Sequence, residues 1–291
     1  SQMVFFGSVI HRRGTLDMSE EKSVRIKNTS PVVVIGRGGS GTRILADLVQ
    51  EQGVFLGNKL NKSIDAVEWV KTIYGAVIDA HSAPYGLSPE KEEMWIRKIR
   101  RTAREILEER GTPVPDFWGW KLPETTLVIP QVLASFPHAR IIHLIRHPVS
   151  SCCRRSHMTS RTDTELGQVC LTRAYDFIGR PVAKIGDDET HIHNAASWAF
   201  QVSLAVRALE DIKDESRTLL VKYEAICDDP TACRDDIRQF LGMDAARSPQ
   251  GLQIDTARRN ENAVDPEQAA AVWDICGEQA IRLGYGRDNV T

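Results

Sequence analysis

Between Gly36 and Arg43 the chain reads Gly-Arg-Gly-Gly-Ser-Gly-Thr-Arg. Glycines, hydroxyls and arginines at this density suit a bound phosphate-like anion. The glycines let backbone N–H groups come close, and guanidinium forks match the oxygens. Gly36 and Gly41 have the spacing of a Walker A loop, but Thr42 stands where that loop carries its lysine. An ordinary Walker A ATPase or GTPase is therefore disfavoured, and the positive charge must come from Arg37 or Arg43. A second group contains Arg146, His147, Pro148, Ser150, Ser151, Arg154 and Arg155. A third contains Lys121 with Glu124, and the polar stretch Gly57–Asp65 contributes Asp65. Side chains that could take a proton include Asp65, Glu124, Glu68, His81 and His147. His143 alternates within an apolar run and reads as a core histidine. His191 and His193 stand two apart with no third ligand suggested, so no metal centre is expected.

Stepping from these residues to the elements that must hold them, Val32 to Ile35 is a β-branched run and reads as a buried strand. Ile44, Leu45, Leu48 and Val49 then fall at helical spacing, so the glycines lie in a strand-to-helix turn whose helix covers about 42–52. Residues 66–110 read as largely helical, with Pro89 and its acidic neighbours starting a helix. The basic run Arg97, Lys98, Arg100, Arg101 and Arg104 reads as a solvated face. Trp118–Lys121 is a short strand and 126–135 a helix. Ile141–Ile145 is a strong strand that ends at Arg146, where open α/β sheets place ligand groups. An arginine- and serine-rich helix over about 150–156 is expected next. Residues 157–193 read as a polar excursion with partial helix that shapes the acceptor side of the site. A helix over 194–211, a strand over 218–221, and helices over 230–241 and 269–283 follow. This is an α/β pattern: a central, mainly parallel sheet flanked by helices. No linker divides it, so residues 31–291 are expected to form one domain after an N-terminal extension, 1–30.

The formal net charge of −2 over 291 residues steers the protein toward neither nucleic acid nor an anionic membrane. No apolar run reaches transmembrane length. The six cysteines form no C-x-x-C pair and read as free thiols of a cytoplasmic protein. The oligomeric state is left open.

The motifs together resemble the sulfotransferases that use 3′-phosphoadenosine 5′-phosphosulfate (PAPS). Gly36–Arg43 looks like the 5′-phosphosulfate loop of that family. Many relatives have Lys or Arg directly before Ser-Gly-Thr; here that place is Gly39. Phe136–Pro148 looks like the second cofactor segment, and Arg146 matches the arginine that holds the 3′-phosphate. The serine that follows it in the family pattern is replaced by Arg154, with Ser150 and Ser151 nearby. Trp120–Thr125 is similar to the segment whose lysine lines the active site, matched by Lys121. Leu219–Pro230 looks like the late strand and helix of bacterial and carbohydrate-directed members.

The resemblance implies a P-loop NTPase-like sulfotransferase fold and sulfonate transfer from PAPS, with PAP as product and no metal required. The acceptor would be a saccharide or small metabolite. Arg37, Gly38, Gly39, Ser40, Gly41, Thr42, Arg43, Arg146, Ser150, Ser151 and Arg154 would bind the cosubstrate. Asp65, Glu124, Lys121 and Arg37 would serve the chemistry. The alternative is a variant P-loop kinase, with Ser40 or Thr42 on Mg²⁺ and Asp79 as a Walker B-like carboxylate.

Overall fold

The computed structural model describes residues 30–84, 86–113, 115–243 and 264–287. The expected N-terminal extension, apart from residue 30, and most of the polar stretch 247–266 lie outside these. Among the described residues there is one four-stranded parallel sheet. Its strands are β1 (Val32–Ile35), β2 (Gly119–Lys121), β3 (Arg140–Ile145) and β4 (Thr218–Lys222), in the order β2-β1-β3-β4.

β1 lies inside the sheet and is apolar on both faces. Val33 and Ile35 join Ile141 in one core; Val32 and Val34 join Ile142, Leu144 and Val221 in another. A strand covered on both sides needs the unbroken apolar run seen in the sequence. Helix α1 (Thr42–Glu51) fills the second core with Leu45, Leu48 and Val49. Helices α2 (Val70–Ser82) and α3 (Pro89–Arg110) fill the first with Ile73, Val77, Trp95 and Ile99. The helical stretch expected over 66–110 is therefore a 3-10 turn, Val67–Trp69, and two helices. Ser88 accepts a hydrogen bond from the Lys91 amide and caps α3, with Pro89 in its first turn.

After the 3-10 turn Pro123–Val128 comes α4 (Ile129–Ser135). The helix after β3, α5, covers only Pro148–Cys152. It is shorter than expected, so Arg154 and Arg155 lie beyond it. The Asn194 side-chain amide donates to the carbonyls of Cys152 at 2.9 Å and Arg154 at 3.0 Å, and so satisfies acceptors a longer helix would have used itself.

The excursion expected over 157–193 is more structured than its polarity suggested. It contains a 3-10 turn, Met158–Ser160, helix α6 (Glu165–Phe177), a second 3-10 turn, Val182–Gly186, and the start of α7 (Thr190–Glu210). Leu166, Cys170, Leu171, Ala174 and Tyr175 bury one face of α6. α7 packs with α5 and the closing helix α10 (Pro266–Arg282), through Val149, Cys152, Trp198, Val202, Val272 and Cys276. Helices α8 (Tyr223–Asp228) and α9 (Pro230–Leu241) complete the second core behind β4.

Candidate active site

Because the strands are parallel, their carboxyl ends meet on one edge of the sheet. The glycine loop leaves β1 there, Lys121 ends β2, Arg146 follows β3 and Tyr223 follows β4. Between them lies a cavity of about 280 Å³, lined among others by Gly39, Gly41, Thr42, Arg43, Ser63, Asp65, Lys121, Arg146, Ser151, Arg154, Arg155, His157 and Tyr223. Five of these side chains are basic and one is a carboxylate. Two larger clefts, of about 670 and 570 Å³, lie outside the glycine loop; the first meets this site at Arg154.

The loop is shaped by close approach. A Cβ on Gly36 would stand 2.6 Å from the Leu144 carbonyl oxygen, and its amide donates to Thr126 Oγ1 at 3.1 Å. Gly41 has φ +99° and lies under the Tyr223 ring, 2.3 Å from where a Cβ would be. Both positions therefore require glycine. Gly41 precedes α1, and no side chain caps that helix. Ile44 N–H already donates to the Gly41 carbonyl at 3.0 Å, so the Thr42 and Arg43 amides and the positive end of the dipole are what the turn offers an anion.

Arg37 departs from expectation. It is 2% exposed and points into the protein, not into the cavity. Its guanidinium donates to Asn194 Oδ1 at 2.6 Å, Ser160 Oγ at 2.9 Å and the Gly38 carbonyl at 3.1 Å. These partners are neutral, and burial lowers its pKa. Arg37 is therefore a buried guanidinium held by neutral partners and kept off the cavity wall. Gly38, under the His157 ring, and Ser40 are buried and off the cavity wall, while Gly39 and Arg43 are exposed.

Lys121 Nζ donates to Asp65 Oδ1 at 2.6 Å and to the Ser63 carbonyl at 2.7 Å. Burial pushes the ammonium pKa down, and the Asp65 carboxylate opposes this. Asn61 holds the loop that carries Asp65. Its Oδ1 accepts from the amides of Ser63 and Asp65, and its Nδ2 donates to Asp65 Oδ2. Glu124 is buried at the start of its 3-10 turn and off the cavity wall. Burial pushes its carboxyl up to about 7, countered by its own backbone amide.

Arg146 is held from several sides. Its guanidinium lies 4.0 Å from the Tyr223 ring centroid, a cation–π distance. Trp198 Nε1 donates to its carbonyl at 3.1 Å, and the next amide, of His147, donates to Glu224 Oε1 at 2.9 Å. Ser151 Oγ lies 3.4 Å from Ser40 Oγ and reaches the cavity; Ser150 is buried with an unpartnered hydroxyl and does not. Arg154 lines the cavity and is exposed.

A sequence model described as the sulfotransferase family matches residues 31–247. The chain belongs to the sulfotransferase family. No curated protein matches it. It is similar to the crystal structure of a sulfotransferase from Alicyclobacillus acidocaldarius, at 14% identity and TM-score 0.47, covering 88% of this chain and 96% of that one. Sulfotransferase STF9 from Mycobacterium avium gives 16% identity and TM-score 0.49, covering 91% and 79%. Mouse SULT7A1 complexed with PAP gives 14% identity and TM-score 0.39, covering 90% and 89%.

Several other expectations for this sulfotransferase are corrected. Asp79 lies on α2, where it accepts from Trp95 Nε1 at 2.9 Å and Lys91 Nζ at 3.1 Å. It is not at a strand end, so the kinase reading loses its carboxylate. His81 bonds the Leu127 carbonyl, and His147 bonds the Gly286 carbonyl and stacks on Trp273. Glu68 accepts from the Asn58 amide. None of these three lines the cavity. Trp118 and Trp120 are buried in the core, Trp120 stacked on Trp69 at 3.9 Å, so neither offers a ring to an acceptor. Sequence reasoning missed His157, carried Tyr223 only within a family-like stretch, and left Ser63 in a polar loop and Arg155 in the group after Arg146 without a role. The aromatic ring after β4 and the arginine beside Arg154 were visible, but neither announces which way it faces.

Proposed function

We propose that this sulfotransferase moves the sulfonate of PAPS to a hydroxyl or amine of a saccharide or small-metabolite acceptor, releasing PAP. The observation that carries the reading is the cavity at the carboxyl ends of the strands, where an uncapped helix N-terminus and five basic side chains face one carboxylate. That balance suits a cosubstrate with anionic groups at two ends. The amides of Gly41, Thr42 and Arg43, with the Arg43 side chain, suit the phosphosulfate. Arg146, Ser151 and Arg154 suit the 3′-phosphate, the role the family resemblance gives Arg146. Arg37 adds a buried positive charge behind the loop.

In the reaction, the acceptor loses its proton to Asp65 and its oxygen or nitrogen attacks sulfur. The new O–S or N–S bond forms as the S–O bond to the 5′-phosphate breaks, and PAP leaves with that electron pair. Lys121 neutralises the leaving oxygen and orients Asp65. Glu124, off the cavity wall, acts on Lys121 by charge alone. Side chains and amides meet all the charge that develops, so the reaction as drawn uses no metal.

The test is a screen of acceptor extracts with sulfur-labelled PAPS. Label is expected in an acceptor fraction, and Arg146→Ala is expected to abolish its transfer. Transfer of labelled γ-phosphate from ATP, with none from PAPS, would overturn the reading.

A further inference from the structure

Gly39 leaves the loop with no basic side chain directly before Ser-Gly-Thr, and Arg37 is turned away. The space above the loop is instead taken by His157. Its Nδ1 and Cε1 lie 1.8 and 1.9 Å from where a Cβ on Gly38 would be, and its Cδ2 is 4.0 Å from the corresponding point on Gly39. The ring thus rests on the loop and lines the cavity with Lys121 and Asp65. Its Nδ1 is buried without a hydrogen-bond partner. That nitrogen packs against Gly38, so Nε2 is the ring nitrogen left to meet a bound group. The neighbouring segment is fixed in turn: the Ser160 amide donates to the His157 carbonyl, and Ser160 Oγ accepts from Arg37.

Resting on the PAPS reading above, we propose that His157 is a further catalytic residue, whose imidazole contacts the transferring sulfonate across the glycine loop in place of the side chain Gly39 lacks. The sequence gap at Gly39 is filled in space, not in register.

The charges around the ring give this contact a proton dependence. In the protein alone, burial pushes the His157 pKa down to about 4, and the Arg37, Lys121 and Arg155 cations act in the same direction. The Asp65 carboxylate opposes them. An arriving phosphosulfate places negative charge against the same ring and reverses that balance. His157 then takes a proton from solvent as the cosubstrate binds and becomes a charged donor to it.

Two measurements test this on the full chain. With ¹⁵N-labelled histidine, the ring nitrogens of His157 at pH 7 are expected to move from neutral to imidazolium shifts when PAPS saturates the protein. By calorimetry, His157→Gln is expected to weaken PAPS at least about tenfold, the scale of a charge-assisted hydrogen bond, and PAP less than about threefold. Ring shifts that stay neutral at saturation would overturn the proposal without any variant. Unchanged PAPS affinity in a folded His157→Gln protein, or equal losses for PAP and PAPS, would overturn it too. If wild type bound neither nucleotide, the PAPS reading itself would fall, and this inference with it.

Discussion

Asp65 and Lys121 form the contact at which the chemistry is most exposed to mutation. Asp65 is the carboxylate on the cavity wall, and its partner is buried. Asp65→Asn is expected to lower kcat by about 10²- to 10⁴-fold, the usual contribution of a general base. PAP affinity should stay within about threefold, because the nucleotide groups are elsewhere. Steady-state rates with any acceptor that wild type sulfonates, set beside PAP calorimetry, check this; a variant with wild-type kcat would remove Asp65 from the mechanism. Glu124 makes a different prediction. Its folded pKa, about 7, lies above the ordinary value of 4.5, so the folded state holds the proton more tightly. Stability from this group is full below pH 4.5 and is lost as pH rises through 7. The loss is about 3 kcal/mol at most. Glu124→Gln should flatten the fall in thermal midpoint between pH 5 and pH 8, and an unchanged slope would count against a raised pKa. These residues were legible to different degrees. Lys121, Asp65 and Arg146 stood out by type and motif. That Arg37 faces inward was not legible, because its direction depends on Ser160 and Asn194, far away in sequence.

Asn194 shows how one helix holds the site together. It lies on α7, with its oxygen on Arg37 and its amide on the carbonyls of Cys152 and Arg154. It therefore ties the glycine loop to the end of α5. Asn194→Ala leaves a buried guanidinium and two carbonyls short of partners, and is expected to cost on the order of 3 kcal/mol. The thermal midpoint should fall by several degrees. PAP binding should weaken as well on the proposed reading, since the glycine loop and the segment after β3 lose their common tie. Calorimetry and thermal melts measure the two effects, and a loss of stability with full PAP affinity would show that the tie does not hold the site. At this scale the strands were easy to read, because β1 and β3 are apolar runs buried on both faces. Helix α6 was not. Its apolar positions are spread among polar neighbours, and only the packing of Leu166, Cys170 and Tyr175 declares them core. The short α5 was equally hidden, since a side chain from another helix ends it.

Across the whole molecule, four parallel strands bring residues from four distant segments to one edge, and the net charge of −2 conceals that edge's positive character. The glycine loop thus lines one cavity with Arg146, Lys121 and the residues around them. No described helix is long and apolar enough to cross a membrane. Family membership fixes the reaction class; the identity of the donor is the central proposal. Titration calorimetry of the full chain with PAP and with ATP, each with and without Mg²⁺, tests it most directly. The account predicts that PAP binds more tightly than ATP, with an affinity that Mg²⁺ does not raise and that Arg146→Ala reduces. Tighter binding of ATP, dependent on Mg²⁺ and indifferent to Arg146, would contradict it.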